Sequence, residues 1–266
     1  MMEQLIVPVP NGHLRVERGG EGPPVVLLHS GLTSAGMWDP QLDALAAEHT
    51  VIRYDARSHG RSSTAHADYR NDEDLLVVLD HLGIGSASLV GNSMGGATAA
   101  AFALEHPDRV DRVVLAGAGV AGLEFRDEFL LGEYRRMDAA KEAMDADAFV
   151  EAFLRFGVDG PHRQPSEVDP VVREKCRLLA METVLAHHTA TGTMRSPDVL
   201  ANLERIEAPT LVLMGELELS DLWRFAREAQ RRMPNARLES VADCGHMVNL
   251  ERPELFNALV LEHLVR

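Results

Sequence analysis

Cysteine is scarce in this 266-residue sequence: Cys176 and Cys244 are the only two, and they stand far apart. They offer neither a disulfide framework nor the spacing of a metal site, and both read as reduced thiols. Positive charge is also short. Against 41 acidic residues stand 26 basic ones, a formal charge of -15, and no Lys/Arg stripe could follow a phosphate backbone, so a nucleic-acid partner is not expected. Long apolar runs are missing too. Nowhere do about 18 apolar residues follow one another, and the segment Met1 to Pro8 has no basic stretch leading into an apolar one. The expectation is a soluble, cytoplasmic protein with no membrane contact.

What is present suits one large α/β domain with an insertion better than two small domains. Short β-branched runs alternate with helical patterns, as in βαβ units and a mainly parallel sheet. The runs are Val25 to Leu28, Val51 to Tyr54, Ala87 to Val90, Val113 to Leu115 and Thr210 to Met214. They are nearly continuous in apolar residues, which fits strands covered on both faces. Leu5 to Val9 and Leu14 to Arg18, separated by Asn11-Gly12, read as an antiparallel hairpin leading in. A further strand is expected over Arg237 to Val241.

Helices are expected between the strands. Asp39-Pro40 offers an N-cap and a proline at the first helical position. Residues 69–83 form the next helix, Ser93 to Glu105 another that ends at His106-Pro107, and a last one runs from about Pro253 to the C-terminus. The alternation breaks once, where about 85 residues, Val120 to Glu204, hold helical stretches (Phe125 to Met144, Val171 to His187) and no convincing strand. The division implied is a core of residues 1–119 and 205–266 with a helical cap over 120–204. Gly157 to Pro165 reads as a loop between cap helices, and the cap's acidic character as a solvated face.

The chemistry begins at Gly91-Asn92-Ser93-Met94-Gly95-Gly96, a Gly-x-Ser-x-Gly pattern that directly follows a strand and opens a helix. A turn that sharp strains the central serine, and the residues two positions either side must lack a Cβ for helix and sheet to approach. The hydroxyl is then presented at the carboxyl edge of the sheet, beside the positive end of a helix. A phosphate-binding turn is the competing reading. It would need a Gly-x-Gly-x-x-Gly pattern or a following Lys-Ser/Thr, and neither is there.

With the elbow, three more stretches carry a resemblance to the α/β-hydrolase fold superfamily: Leu27-Leu28-His29-Ser30-Gly31, Tyr54-Asp55-Ala56-Arg57-Ser58-His59-Gly60-Arg61-Ser62 and Cys244-Gly245-His246. The resemblance spans nearly the whole chain outside the cap. It implies a mainly parallel, eight-stranded sheet with helices on both faces and a helical cap insertion. It also implies Ser93 as nucleophile and His246, in a loop before the last helix, as its general base. Two backbone N–H groups must then stabilise the oxyanion, and losing one such donor raises the barrier by roughly 3–4 kcal/mol. Met94 supplies one by this resemblance, and Gly31 the other with Leu32 as fallback, although the family commonly reads His-Gly where this chain has His29-Ser30-Gly31. His29 either organises that loop or touches substrate. Trp38 lines the pocket or belongs to the core, and Leu32 and Met247 join the candidates for substrate contact. Arg57 and Arg61 are expected to hold their loop.

The triad acid should follow the strand that ends at Met214, where it orients the imidazole. Relatives commonly carry Asp at the position of Glu218, and Asp221 is the alternative, with a helix N-terminal role as its plainer reading. Serine at the elbow sets the chain apart from relatives with a carboxylate nucleophile, which leaves acyl transfer to water as the expected reaction. The nucleophile region resembles meta-cleavage-product hydrolases, which cut carbon–carbon bonds. His29-Ser30 and Met37 to Leu42 resemble enol-lactone hydrolases and carboxylesterases. An ester or lactone of a small molecule is the favoured substrate, carbon–carbon cleavage the alternative, and a non-hydrolytic, ligand-binding or cyclase-like use of the fold the third reading. For an anionic substrate the cap offers Arg135, Arg136, Arg173 and Arg177, unless these are plain surface charges. No metal or organic cofactor is implied, and the oligomeric state is not legible.

Overall fold

The computed structural model describes residues 2–265. Ten strands and nine α-helices follow in chain order: β1 (Glu3–Val9), β2 (Gly12–Gly19), β3 (Pro24–Leu28), α1 (Leu42–Ala46), β4 (Thr50–Tyr54), β5 (Tyr69–Arg70), α2 (Asn71–His81), β6 (Ala87–Asn92), α3 (Met94–Glu105), β7 (Val110–Ala116), α4 (Glu128–Glu142), α5 (Ala146–Leu154), α6 (Pro170–His187), β8 (Met194–Arg195), β9 (Thr210–Gly215), α7 (Ser220–Arg232), β10 (Ala236–Val241), α8 (Val248–Glu251) and α9 (Pro253–Val265).

Eight strands form one sheet in the order β1-β2-β4-β3-β6-β7-β9-β10. β2 pairs antiparallel with both β1 and β4, and the other neighbours run parallel. This is the α/β-hydrolase fold. Asn11, in the left-handed region at φ 61, closes the entering hairpin, as the Asn-Gly pair leads one to expect.

The central strands bury both faces because consecutive side chains point to opposite sides. Val26, Leu28, Val113, Leu115, Val212 and Met214 enter the core shared with α2, α3 and α7. Val25, Leu27, Val114, Ala116, Leu211 and Leu213 enter the opposite one, which is covered by α1, α9 and the helices α5 and α6. Among the described residues, no helix is long and apolar enough to cross a membrane.

Three local expectations are corrected. Asp39 caps no helix: the chain forms a 3-10 helix from Ala35 to Gln41 with Ser34 at its N-cap, and the Asp39 carboxylate binds Arg53 and Lys175 at 2.6 and 2.7 Å. The long segment between β7 and β9 is helical but not strand-free, since β8 pairs with β5 through Tyr69–Met194 and Arg70–Arg195. Gly157 to Pro165 begins inside a π-helical turn, Arg155–Asp159, that continues α5.

Candidate active site

The sheet's carboxyl edge gathers the expected groups. Ser93 sits between β6 and α3 at φ 52 and ψ -113, a backbone that L residues adopt only when their surroundings force it. Those surroundings are on hand: a Cβ on Gly91 would run into the backbone of Gly95, and one on Gly95 into the carbonyl of Leu28. The Ser93 N–H donates to the Ala116 carbonyl at 2.8 Å, which pins the elbow to the end of β7.

Gly117 comes next, in the left-handed region at φ 52. A side chain there would press on both the Glu218 carboxylate and the His246 ring. Glu218 lies in the turn after β9 and His246 in the loop after β10. Their side chains meet, with Glu218 Oε2 2.6 Å from His246 Nδ1, while Oε1 accepts the Leu219 N–H at 2.8 Å. Both residues are buried, Glu218 3 % and His246 5 % exposed. Burial alone would discourage the imidazolium. The charge and hydrogen bond of Glu218, helped by Glu251, outweigh it and hold the His246 pKa above its ordinary value.

Asp221 is placed elsewhere. Its carboxylate accepts the backbone N–H groups of Arg126 and Asp127 at 2.6 and 2.7 Å and pairs with Arg224 at 2.7 Å. It therefore anchors the entry to α4, away from the imidazole.

Facing the elbow is the loop after β3. Gly31 lies close to Met94, its ideal Cβ 3.9 Å from the Met94 Cβ. Among the described residues neither the Gly31 nor the Met94 amide has a protein acceptor. Leu32 is different: its N–H donates to His59 Nε2 at 3.1 Å, which withdraws it as a second choice of oxyanion donor.

His29 belongs to the loop itself. Its Nδ1 donates to the Ser30 carbonyl at 2.8 Å and its Nε2 accepts the Ala56 N–H at 2.9 Å, so no ring nitrogen is left for a substrate. With Tyr54, Met94 and Thr98 it lines a cavity of about 10 Å³, no larger than a water molecule needs.

Two other candidates for substrate contact lie in the core. Trp38 is fully buried with its ring 5.9 Å from that of Phe256. Met247 is likewise fully buried, its sulfur 3.7 Å from Asn92 Nδ2. Trp38 lies inside the 3-10 helix Ala35–Gln41 and Met247 directly after His246, and both turn toward the α9 side of the sheet.

Arg57 holds its loop through a bidentate pair with Asp74 at 2.6 and 2.9 Å. Arg61 contributes a backbone N–H to Asp55 at 3.0 Å. The four cap arginines are all matched by carboxylates: Arg135 with Glu128, Arg136 with Glu133, Arg173 with Asp159 and Glu151, Arg177 with Glu174.

Sequence reasoning passed over three contributors: Gly117, the His59 ring behind Leu32, and Glu251, which accepts the Gly245 N–H at 3.1 Å. For His59 a signal existed in the same Arg57 to Ser62 stretch. Glu251 had none, since only folding brings it to the His246 loop.

A family model described as the alpha/beta hydrolase fold matches residues 23–253. A Caulobacter sp. (strain K31) protein, provisionally named carbamate hydrolase RutD, is 30% identical over 257 residues, 90% of each chain. The 2-hydroxy-6-oxononadienedioate/2-hydroxy-6-oxononatrienedioate hydrolase of Burkholderia vietnamiensis is 30% identical over 91% of this chain and 87% of its own. Among solved structures, the enol-lactonase from Burkholderia xenovorans LB400 superposes with a TM-score of 0.81 at 27% identity, covering 98% of this chain and all of that one. With its elbow, its sheet and these relatives, the chain belongs to the α/β-hydrolase fold family, and the relatives mark it as a hydrolase.

Proposed function

We propose that the chain is a serine hydrolase that cleaves a small-molecule carboxylic ester or lactone, with Ser93 as nucleophile, His246 as general base and Glu218 as the triad acid. The observation that carries this reading is the buried 2.6 Å contact between Glu218 and His246, at the same sheet edge as a serine on a strained strand-to-helix turn.

The chemistry follows from those positions. Ser93 Oγ attacks the carbonyl carbon as its proton passes to His246 Nε2, and the carbonyl electrons move onto oxygen. The Met94 and Gly31 N–H groups receive that oxyanion at the N-terminus of α3, where the helix dipole favours negative charge. Glu218 fixes Nδ1–H and stabilises the imidazolium. Collapse of the intermediate breaks the bond to the leaving oxygen, which takes its proton from His246, and water then hydrolyses the acyl-enzyme by the same route in reverse order. A lactone differs only in that its leaving group stays attached to the acyl chain.

Carbon–carbon cleavage is the second reading, favoured by the identity to the Burkholderia vietnamiensis hydrolase. The test is turnover on a panel holding p-nitrophenyl butyrate, γ- and δ-lactones and a dienoate ketone, each with a Ser93→Ala control. Serine-dependent turnover of the esters or lactones supports the proposal. Turnover of the ketone alone transfers it to the second reading, and turnover that survives Ser93→Ala removes it.

A further inference from the structure

The base loop is tied to the helical segment between β7 and β9 by a partly buried ion pair between Arg163 and Glu251. Arg163 lies just after the π-helical turn Arg155–Asp159. Its Nη1 is 2.5 Å from Glu251 Oε2 and its Nη2 3.2 Å from Glu251 Oε1. The same guanidinium donates from Nε to the Asp159 carbonyl at 2.9 Å and from Nη2 to the Val158 carbonyl at 2.8 Å. The two side chains are largely shielded, 10% and 6% exposed.

Glu251 Oε1 then accepts the N–H of Gly245, the residue before His246, at 3.1 Å. A side chain at position 245 would collide with Arg163 Nη2, which explains the glycine there. The turn touches the acid's loop as well: an ideal Cβ on Gly160 would lie 3.2 Å from the Leu217 carbonyl, one residue before Glu218. Behind Arg163, the fully buried Asp159 is held by Arg155 at 2.8 Å and Arg173 at 3.0 Å.

Such an arrangement exceeds what stability asks for. A partly buried pair adds little net stability over apolar packing, whereas its rupture leaves a shielded charge without its partner, and here the partner carboxylate also holds the Gly245 N–H. We infer that Arg163 and Glu251 are positioning residues for His246, through which the π-turn of the helical segment sets the imidazole's place against Ser93. The inference rests on the reading of His246 as the general base.

The charged groups near the ring are Glu218 from the β9 turn and Glu251 from α8, with Arg163 beyond Glu251 and Asp159, Arg155 and Arg173 behind it. The neighbouring Cys244 thiol is pushed up to about 12 by burial and by Glu251, so it stays neutral. Glu251 adds to the field that holds the His246 pKa up. Glu251→Gln therefore lowers that pKa, whereas Arg163→Met, which removes the neutralising cation, raises it.

The test is the rate of fluorophosphonate labelling of Ser93, followed by intact mass from pH 5 to 9 in wild type, Arg163→Met, Arg163→Lys, Glu251→Gln and the Arg163→Met/Glu251→Gln double variant. His246→Ala serves as the control for the base. NMR titration of the His246 ring in the same proteins reads the contact without turnover. We expect labelling to fall about 10- to 100-fold in Arg163→Met, the range that small misplacements of a reacting group produce, with partial rescue in Arg163→Lys. The two single variants should shift the imidazole titration in opposite directions, and the double variant should lose less than the product of the singles. Labelling within twofold of wild type in Arg163→Met, with no shift of the His246 titration in either variant, overturns the inference. If His246→Ala labels like wild type, the base assignment fails instead, and the NMR titration still decides whether the pair positions the ring.

Discussion

Gly117 lies so close to His246 that a methyl group on it would stand 2.9 Å from Nδ1 and 3.1 Å from Cε1. Its φ of +52 would also charge a non-glycine residue about 1–2 kcal/mol for the left-handed backbone. Gly117→Ala should therefore lower kcat/KM by about 100-fold as the imidazole is pushed aside, with a modest drop in thermal midpoint. Steady-state kinetics beside a melting curve separate the two effects, and an unchanged kcat/KM would contradict the placement.

Glu218 and Asp221 give a contrast of roles three residues apart. Glu218→Gln leaves a neutral amide against the imidazole and should reduce kcat by about 10³- to 10⁴-fold, as loss of a triad carboxylate does. Asp221→Asn weakens the grip on the Arg126 and Asp127 amides and should instead lower the melting temperature while kcat stays within about threefold. Kinetics and calorimetry on both variants check this, and a reversal of the two outcomes would move the acid to Asp221.

The pH profile follows from the sign of the His246 shift. A general base works when neutral, so the rate climbs with pH through its pKa. Because Glu218 and Glu251 hold that pKa above the ordinary 6.5, the acid limb of kcat/KM should have its midpoint above 6.5. Glu218→Gln should bring the midpoint down even as the rate falls. A wild-type midpoint below 6.5 would speak against the buried pair.

The strands were legible because their apolar runs are continuous, and the elbow because its glycines are required by local sterics at Gly91 and Gly95. The side of the sheet to which a side chain turns was not. Trp38 and Met247 come from stretches flanking the site, yet both end in the second core, since only the packed arrangement of α1, α8 and α9 decides which way they point. Contacts between distant segments were equally hidden. Arg163 and Glu251 are 88 residues apart, and neither carries a local pattern that announces the other. The loop after β3 shows an intermediate case, where a loop-organising role for His29 was one of two readings open in the sequence but the bond from Leu32 to His59 was not visible.

His59 leads to a stability prediction. Burial, with the nearby His29 and His187 adding to it against the Arg57 carbonyl, drives its pKa down to about 3, so the folded protein keeps it neutral while the unfolded chain takes up a proton below about 6.5. Its contribution is complete above pH 6.5 and is lost as pH falls toward 3, by up to about 1.4 kcal/mol per pH unit. His59→Gln retains an acceptor for the Leu32 N–H but cannot titrate. Urea unfolding at pH 7, 5 and 4 should show a shallower acid loss in the variant by about one proton. Equal slopes would show that His59 is protonated in the fold.

The account stands most directly on Ser93. Intact-mass spectrometry after exposure to a fluorophosphonate, with Ser93→Ala alongside, reads whether that hydroxyl is activated. The triad reading predicts one adduct per chain in the wild type and none in the variant. An unlabelled wild type, under conditions where another serine hydrolase labels fully, or an adduct that persists in Ser93→Ala, would contradict it.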